Sequence, residues 1–196
     1  MLEIKKLLAR KTVKNFLAKK VDLEILEKAI KVAHHTPTSL NSRPVILLDI
    51  SKHKAEAWIS IQPAVPTAPH LFLLASNPDR GEANAREFLA GRYGGEIGDE
   101  QVEVVMQRIA TNKKEWATQQ VYLTAGYFSA TLEASGVAGC WIAGFDKEEC
   151  AKSVELPEGY TPELIFACGY ADPQDPATNE TESARKFEDF YFPEKQ

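Results

Sequence analysis

The chain has 196 residues, 44% of them hydrophobic, with 28 acidic and 23 basic side chains giving a net charge of −5. That length suits one domain able to bury a sizeable core, and the acidic balance excludes a nucleic-acid or anionic-membrane partner, since both demand a positive face. Three widely spaced cysteines (Cys140, Cys150, Cys168) without a CxxC or Cys/His cluster indicate no metal site and no disulfide framework, so they read as buried thiols of a reducing compartment.

Met1 to Arg10 is a charged amphipathic stretch, expected as a short helix and lacking the apolar core of a signal peptide. Asp22 stands as an N-cap before Leu23, Leu26, Ile30 and Ala33, which recur at helical spacing. The polar stretch Thr36 to Pro44 stops that helix and forms a loop. Val45 to Ile50 reads as a buried strand, and Lys52 to Ile61 as an amphipathic helix. Pro63, Pro66 and Pro69 punctuate the next turn before a second buried strand, His70 to Ala75. These apolar runs are far too short to span a bilayer, and a cytoplasmic location is expected.

From Asp79 to Asn112 the composition shifts toward charge and glycine, with Gly91, Gly94, Gly95 and Gly98 close together, and Val102, Val105, Met106 and Ile109 form one apolar helix face. This segment is expected as a mobile excursion on a single domain spanning 1–196. Trp116 to Ser135 carries small and apolar residues on nearly every side, which marks a buried central helix, and Gly136 is placed to end it. Two further strands, Val137 to Ile142 and Glu163 to Gly169, flank a short helix beginning at Asp146. The tail is polar from Asp172 onward, yet Phe187, Phe190, Tyr191 and Phe192 return near its end, which suggests that it packs on something, such as a second subunit. The pattern is an α+β domain with about four core strands and helices on both sides.

No GxSxG, Walker, HExxH or GxGxxG motif is present. His34 and His35 are adjacent at a helix end, a poor geometry for two ligands on one metal; their charge favours a helix C-terminus. Three segments carry polar groups suited to a ligand. Arg10-Lys11-Thr12-Val13-Lys14 offers a planar fork, two point charges and a hydroxyl, a set suited to phosphate, although read alone it is better taken as a solvated basic turn. Thr38, Ser39 and Asn41 lie on a proline-bounded loop that can grip a polar heterocycle edge or can be a plain structural turn. Cys140 to Asp146 is a strand running into a glycine turn and a helix start, where free N–H groups and the absent side chain of Gly144 allow close approach of a flat ligand; Asp146 is equally a simple cap.

In this order and spacing the segments resemble the nitroreductase family of FMN enzymes. The resemblance rests on the Arg10 to Phe16 start, the Thr36-Pro37-Thr38-Ser39-x-Asn41 loop, the helix with Trp116 and Gln120 to Leu123, and the Ile142-x-Gly144-Phe145-Asp146 turn. Leu156 to Tyr160, Gly169-Tyr170 and the basic pair Arg185-Lys186 complete it. It implies a three-layer α/β/α domain with a mainly antiparallel central sheet, assembled as an intertwined homodimer. It also implies FMN held by Arg10, Lys11, Thr12, Lys14, Trp141, Ile142, Ala143, Gly144 and Arg185, with Thr38, Ser39 and Asn41 reaching it from the other subunit. Arg10 and Thr12 would serve the phosphate and ribityl end, and Lys14 the pyrimidine edge.

The implied activity passes electrons from NADH or NADPH through flavin N5, beside the backbone of Ala143 and Gly144, to a small-molecule acceptor such as a nitroaromatic or quinone, in ping-pong fashion. No side chain is then required as a general acid. The segment 79–112 would cover the active site. Ala143, Val45 and Arg43 stand where the family often has Glu, Trp and Gln, changes that bear on the acceptor more than on FMN. The alternatives are a non-catalytic or regulatory FMN-binding dimer and a specialised relative performing reductive dehalogenation or flavin breakdown.

Overall fold

The computed structural model describes residues 4–93, 99–174 and 190–191. The expectations for Gly94, Gly95, Gly98, Arg185, Lys186, Phe187 and Phe192 therefore lie outside the described residues. In chain order the helices are α1 (Ile4–Leu8), α2 (Leu23–His34), α3 (Ala57–Ser60), α4 (Pro78–Tyr93), α5 (Asp99–Thr111), α6 (Lys113–Ala134) and α7 (Lys147–Ser153). The strands are β1 (Val45–Asp49), β2 (His70–Ser76), β3 (Ala138–Ile142) and β4 (Thr161–Gly169). They form one sheet in the order β1-β2-β4-β3, with every pair antiparallel. The α+β expectation holds in class, strand number and strand direction.

β2 is buried along its whole length because helices cover both faces of the sheet. On one face Phe72, Phe166 and Cys168 pack with Leu26, Ala29 and Ala33 of α2 and with Phe128 and Leu132 of α6. On the other, Leu71, Leu73, Ile142, Ile165 and Ala167 pack with Trp58 and Ile59 of α3 and Cys150 of α7. The result is three layers, with strand residues alternating between two cores. At β1 the expectation of a buried strand is corrected: this strand is only half-buried, because it lies at the sheet edge.

Several helices depart from their sequence patterns. The expected helix from Lys52 to Ile61 is broken into a 3₁₀ turn at Ser51–His53 and the four-residue α3. Glu56, in an extended conformation, separates them; its carboxylate accepts from Trp58 Nε1 at 2.7 Å and faces His53 Nδ1 at 2.5 Å. Asp22 occupies the N-cap position of α2 without making a side-chain cap, and Leu23 and Ile30 stay exposed while Leu26, Ala29 and Ala33 carry the buried face. Asp146 does cap α7, accepting from the N–H groups of Glu148 and Glu149, both at 3.0 Å. Gly136 follows α6 at φ +86°, the left-handed geometry that suits glycine after a helix end.

The charged segment after Asp79 forms two helices. α4 and α5 enclose a small core of Ala85, Leu89, Met106 and Ile109, against which Trp116 and Leu40 pack. α6 begins three residues earlier than expected and is not buried all round. Tyr122 (57% exposed), Leu123 (49%) and Tyr127 (45%) make a helical stripe on its outer side. No described helix is long and apolar enough to cross a membrane.

Candidate functional site

The basic segment lies flat along the sheet. Thr12 forms a parallel bridge to Gly139 of β3, and the Val13 N–H donates to the Gly139 carbonyl at 3.3 Å. Farther on, Phe16 bridges Ala171, and the Leu17 N–H donates to the Tyr170 carbonyl at 2.9 Å. The side chains of Val13 and Phe16 turn into the core, whereas Arg10, Thr12 and Lys14 are exposed and Lys11 half-buried. The interspersed apolar residues anchor the strip, so that its polar side chains lie toward the surface.

Arg10 reaches α6, its Nε donating to Glu133 at 3.2 Å, while another guanidinium nitrogen lies 3.5 Å from the Thr12 hydroxyl. Burial pushes the Glu133 carboxyl above its ordinary pKa, and the Arg10 charge acts in the opposite direction. Arg10 nevertheless keeps 48% of its side chain exposed. Lys14 lies close enough to Cys140 for its charge to oppose the rise that burial imposes on that thiol. Cys150 is pushed up to about 12 by burial, and Cys168 is pushed up as well, so both are inert protonated core thiols.

At the end of β3 the predicted residues divide. Trp141, partly buried, packs its ring at a tilt against Phe166 with centroids 4.4 Å apart, whereas the Ile142 side chain is 5% exposed and belongs to the core, leaving its backbone for a ligand. Ala143 and Gly144 are exposed beyond the strand. Gln62 Nε2 donates to the Gly144 carbonyl. Thr67 is held against the basic strip, accepting from the Phe16 N–H at 3.1 Å and donating to the Lys14 carbonyl at 3.4 Å. The proline-rich turn thus ties the strip to the glycine turn. Sequence reasoning overlooked Gln62 and Thr67; two polar side chains on a turn stiffened by Pro63, Pro66 and Pro69 were the available signal.

The Thr38 loop is elsewhere. It precedes β1, and its backbone is unusual: Leu40, Asn41 and Arg43 have φ of 52°, 52° and 42°, in the left-handed region disfavoured for residues other than glycine. The surroundings hold it there. The Ser39 N–H donates to Gln120 Oε1 at 2.9 Å, the Arg43 N–H to the Thr38 hydroxyl at 3.1 Å, and Asn84 Nδ2 to the Ser42 carbonyl at 2.8 Å. Thr38 and Asn41 border a cavity of about 950 Å³ under α4.

β1 and β3 are the two outer strands of the sheet. The Thr38 loop enters at Val45, paired with Ser76 at one end of β2, whereas Thr12 sits beside Gly139, in the row of Cys168 and His70 at the other end. Four strand spacings and six residues separate Val45 from Thr12, roughly 19 Å across and 20 Å along. A single chain therefore brings Arg10, Lys11, Thr12, Lys14, Ala143 and Gly144 to one edge and leaves Thr38, Ser39 and Asn41 at the opposite one. Among the described residues no group of three His, Cys, Asp or Glu side chains could hold a metal.

The Nitroreductase family model matches residues 7–170. A curated relative from Thermus thermophilus, an NADH dehydrogenase, is 26% identical over 172 residues, covering 83% of each chain. An iodotyrosine deiodinase from Thermotoga neapolitana is 23% identical over 177 residues, covering 85% of this chain and 87% of its own. A crystal structure from Exiguobacterium sibiricum in complex with FMN superposes with a TM-score of 0.73 at 15% identity, covering 96% of this chain and 95% of that one.

Proposed function

The chain belongs to the nitroreductase family, and on that premise we propose that it is an FMN-dependent oxidoreductase working as a homodimer, with NADH or NADPH as electron donor and a small organic molecule as acceptor. The observation that carries this reading is the separation of the two donor sets at opposite corners of one sheet. Neither set surrounds a ligand alone, whereas a second copy can set its Thr38 loop against the Arg10–Lys14 strip. The exposed stripe of Tyr122, Leu123 and Tyr127 on α6 supplies an apolar surface for such a partner.

The donor chemistry fits FMN. Arg10, Lys11 and Lys14 form a cationic strip in an acidic chain, with the Thr12 hydroxyl between them. Arg10 and Thr12 would hold the phosphate end, aided by Arg185 from the tail, which lies outside the described residues. Lys14 would place its charge at the pyrimidine edge, and Gln62 keeps the Gly144 carbonyl fixed so that the turn backbone stays in place. Ile142, whose side chain lies in the core, would contribute through its main chain. When bound, FMN supplies hydride acceptance and donation at N5. Over one cycle NAD(P)H gives up a hydride, and the acceptor gains two electrons and two protons, the second proton coming from solvent. In the dimer α4 and α5 would cover the site from the chain that supplies the Thr38 loop, on which α4 packs, and the three free cysteines suit a cytoplasmic location.

The test is an absorbance spectrum of the purified protein, with FMN added where needed, before and after NADH or NADPH under anaerobic conditions. Flavin bands that bleach are expected. Bands that persist would favour a binding dimer without reductase activity, and a colourless protein that takes up no FMN would overturn the reading.

A further inference from the structure

The cavity of about 950 Å³ lies between α2, the Thr38 loop, the start of β1 and α4, and its size suits a whole small-molecule ligand. Its lining joins apolar side chains from α2 and β1 to three arginines, Arg43, Arg80 and Arg92. All three have neutral partners. Arg43 Nε donates to Asn41 Oδ1 at 2.8 Å, Arg80 donates to the Tyr160 hydroxyl at 2.8 Å, and the Arg92 guanidinium stands 5.6 Å from the Phe88 ring centroid.

No carboxylate among the described residues forms an ion pair with any of them, although Glu87 also borders the cavity. This is a selective omission in a chain with more acids than bases. On α4, which carries Arg80 and Arg92, Arg86 pairs with Glu103 at 2.9 Å, while Asp79 and, at 3.6 Å, Glu82 pair with Lys113 of α6. Thr36, 7% exposed, also lines the cavity, with its hydroxyl enclosed and without a hydrogen-bond partner in the chain.

We propose that this cavity selects the acceptor as an organic anion, a flat apolar body bearing a carboxylate or phosphate that Arg43, Arg80 and Arg92 hold. Guanidinium groups are well matched to such anions, since they stay charged and bind planar oxyanions through paired N–H donors. The inference rests on the proposed function, because it takes Thr38 and Asn41, at the mouth of the cavity, to face the FMN of the partner subunit.

The probes are 4-nitrobenzoate and its neutral counterpart 4-nitrobenzyl alcohol, titrated calorimetrically into the oxidised, FMN-loaded protein and compared by KM in turnover. The anion is expected to bind about tenfold tighter or more, and Arg92→Gln to abolish that preference while bleaching by NADH is unchanged. Arg80→Gln provides a second variant should the first fail to fold. Equal binding of both probes by the wild type, or an unchanged preference in the variants, would overturn the proposal. So would a variant that loses only its response to NADPH, since the arginines would then serve dinucleotide phosphates. Failure of the FMN reading would show separately, as a protein without flavin.

Discussion

Arg10 is held by a carboxylate in the chain as described, and by the proposed reading it also serves a phosphate. Its Nε is engaged by Glu133, 123 residues away, while much of the guanidinium faces outward. Arg10→Ala should weaken FMN binding by about 1.5–3 kcal/mol, the range for a charge-assisted contact. Glu133→Gln should bind FMN at least as tightly as the wild type, because it removes a competitor for the same guanidinium. Flavin fluorescence titration of both variants checks this, and unchanged affinity in Arg10→Ala would remove Arg10 from the phosphate site. Residue type alone marks Arg10, Thr12 and Lys14 as groups suited to a phosphate. The partner of Arg10 was not legible, since nothing local in the sequence links it to the last turns of α6.

At the scale of the element, the break between Lys52 and Ile61 shows a side-chain network overriding helical periodicity. Glu56 accepts from Trp58 and meets His53 and Ser153, and these contacts hold its carboxyl at about 2, Ser153 being the largest cause. A carboxyl depressed in the folded state adds stability above its ordinary value near 4.5, and that contribution is lost as pH falls from there toward 2. Glu56→Gln should therefore destabilise the protein at pH 7, with the difference from wild type shrinking at pH 3. Urea denaturation at the two pH values tests this; an equal penalty at both would show that Glu56 acts by packing. By contrast the positions of α2, α6, α7 and the four strands were legible from apolar runs and the cap at Asp146, although which faces of α2, α6 and β1 are buried was not.

For the whole molecule, the stripe on α6 and the separated donor sets lead to one expectation. Leu123→Glu places a charge in the middle of the exposed stripe between Tyr122 and Tyr127. Sedimentation velocity should show a shift from dimer to monomer, accompanied by loss of bound FMN, since each site would lose the loop from its partner. A monomer that retains flavin would refute the shared site. Composition had suggested that α6 was buried on every side; within one chain it is buried on the sides facing the sheet and α2, and its apolar outer stripe is what the periodicity could not assign.

From the sequence alone came the α+β class, the positions of the strands, the cap at Asp146, the turn at Gly136 and the types of residue suited to a phosphate and a flat ring. These are local properties, set by side-chain period, backbone freedom and donor chemistry over a few residues. The tertiary structure alone decided that Arg10 meets Glu133, that Gln62 and Thr67 join the basic strip to the glycine turn, and that the Thr38 loop stands at the far corner from Thr12. Those relations follow from the strand order β1-β2-β4-β3, which brings together segments dozens of residues apart and separates others. Strand order is set by how the two faces of the sheet are covered, a property of the packed chain that no local pattern contains.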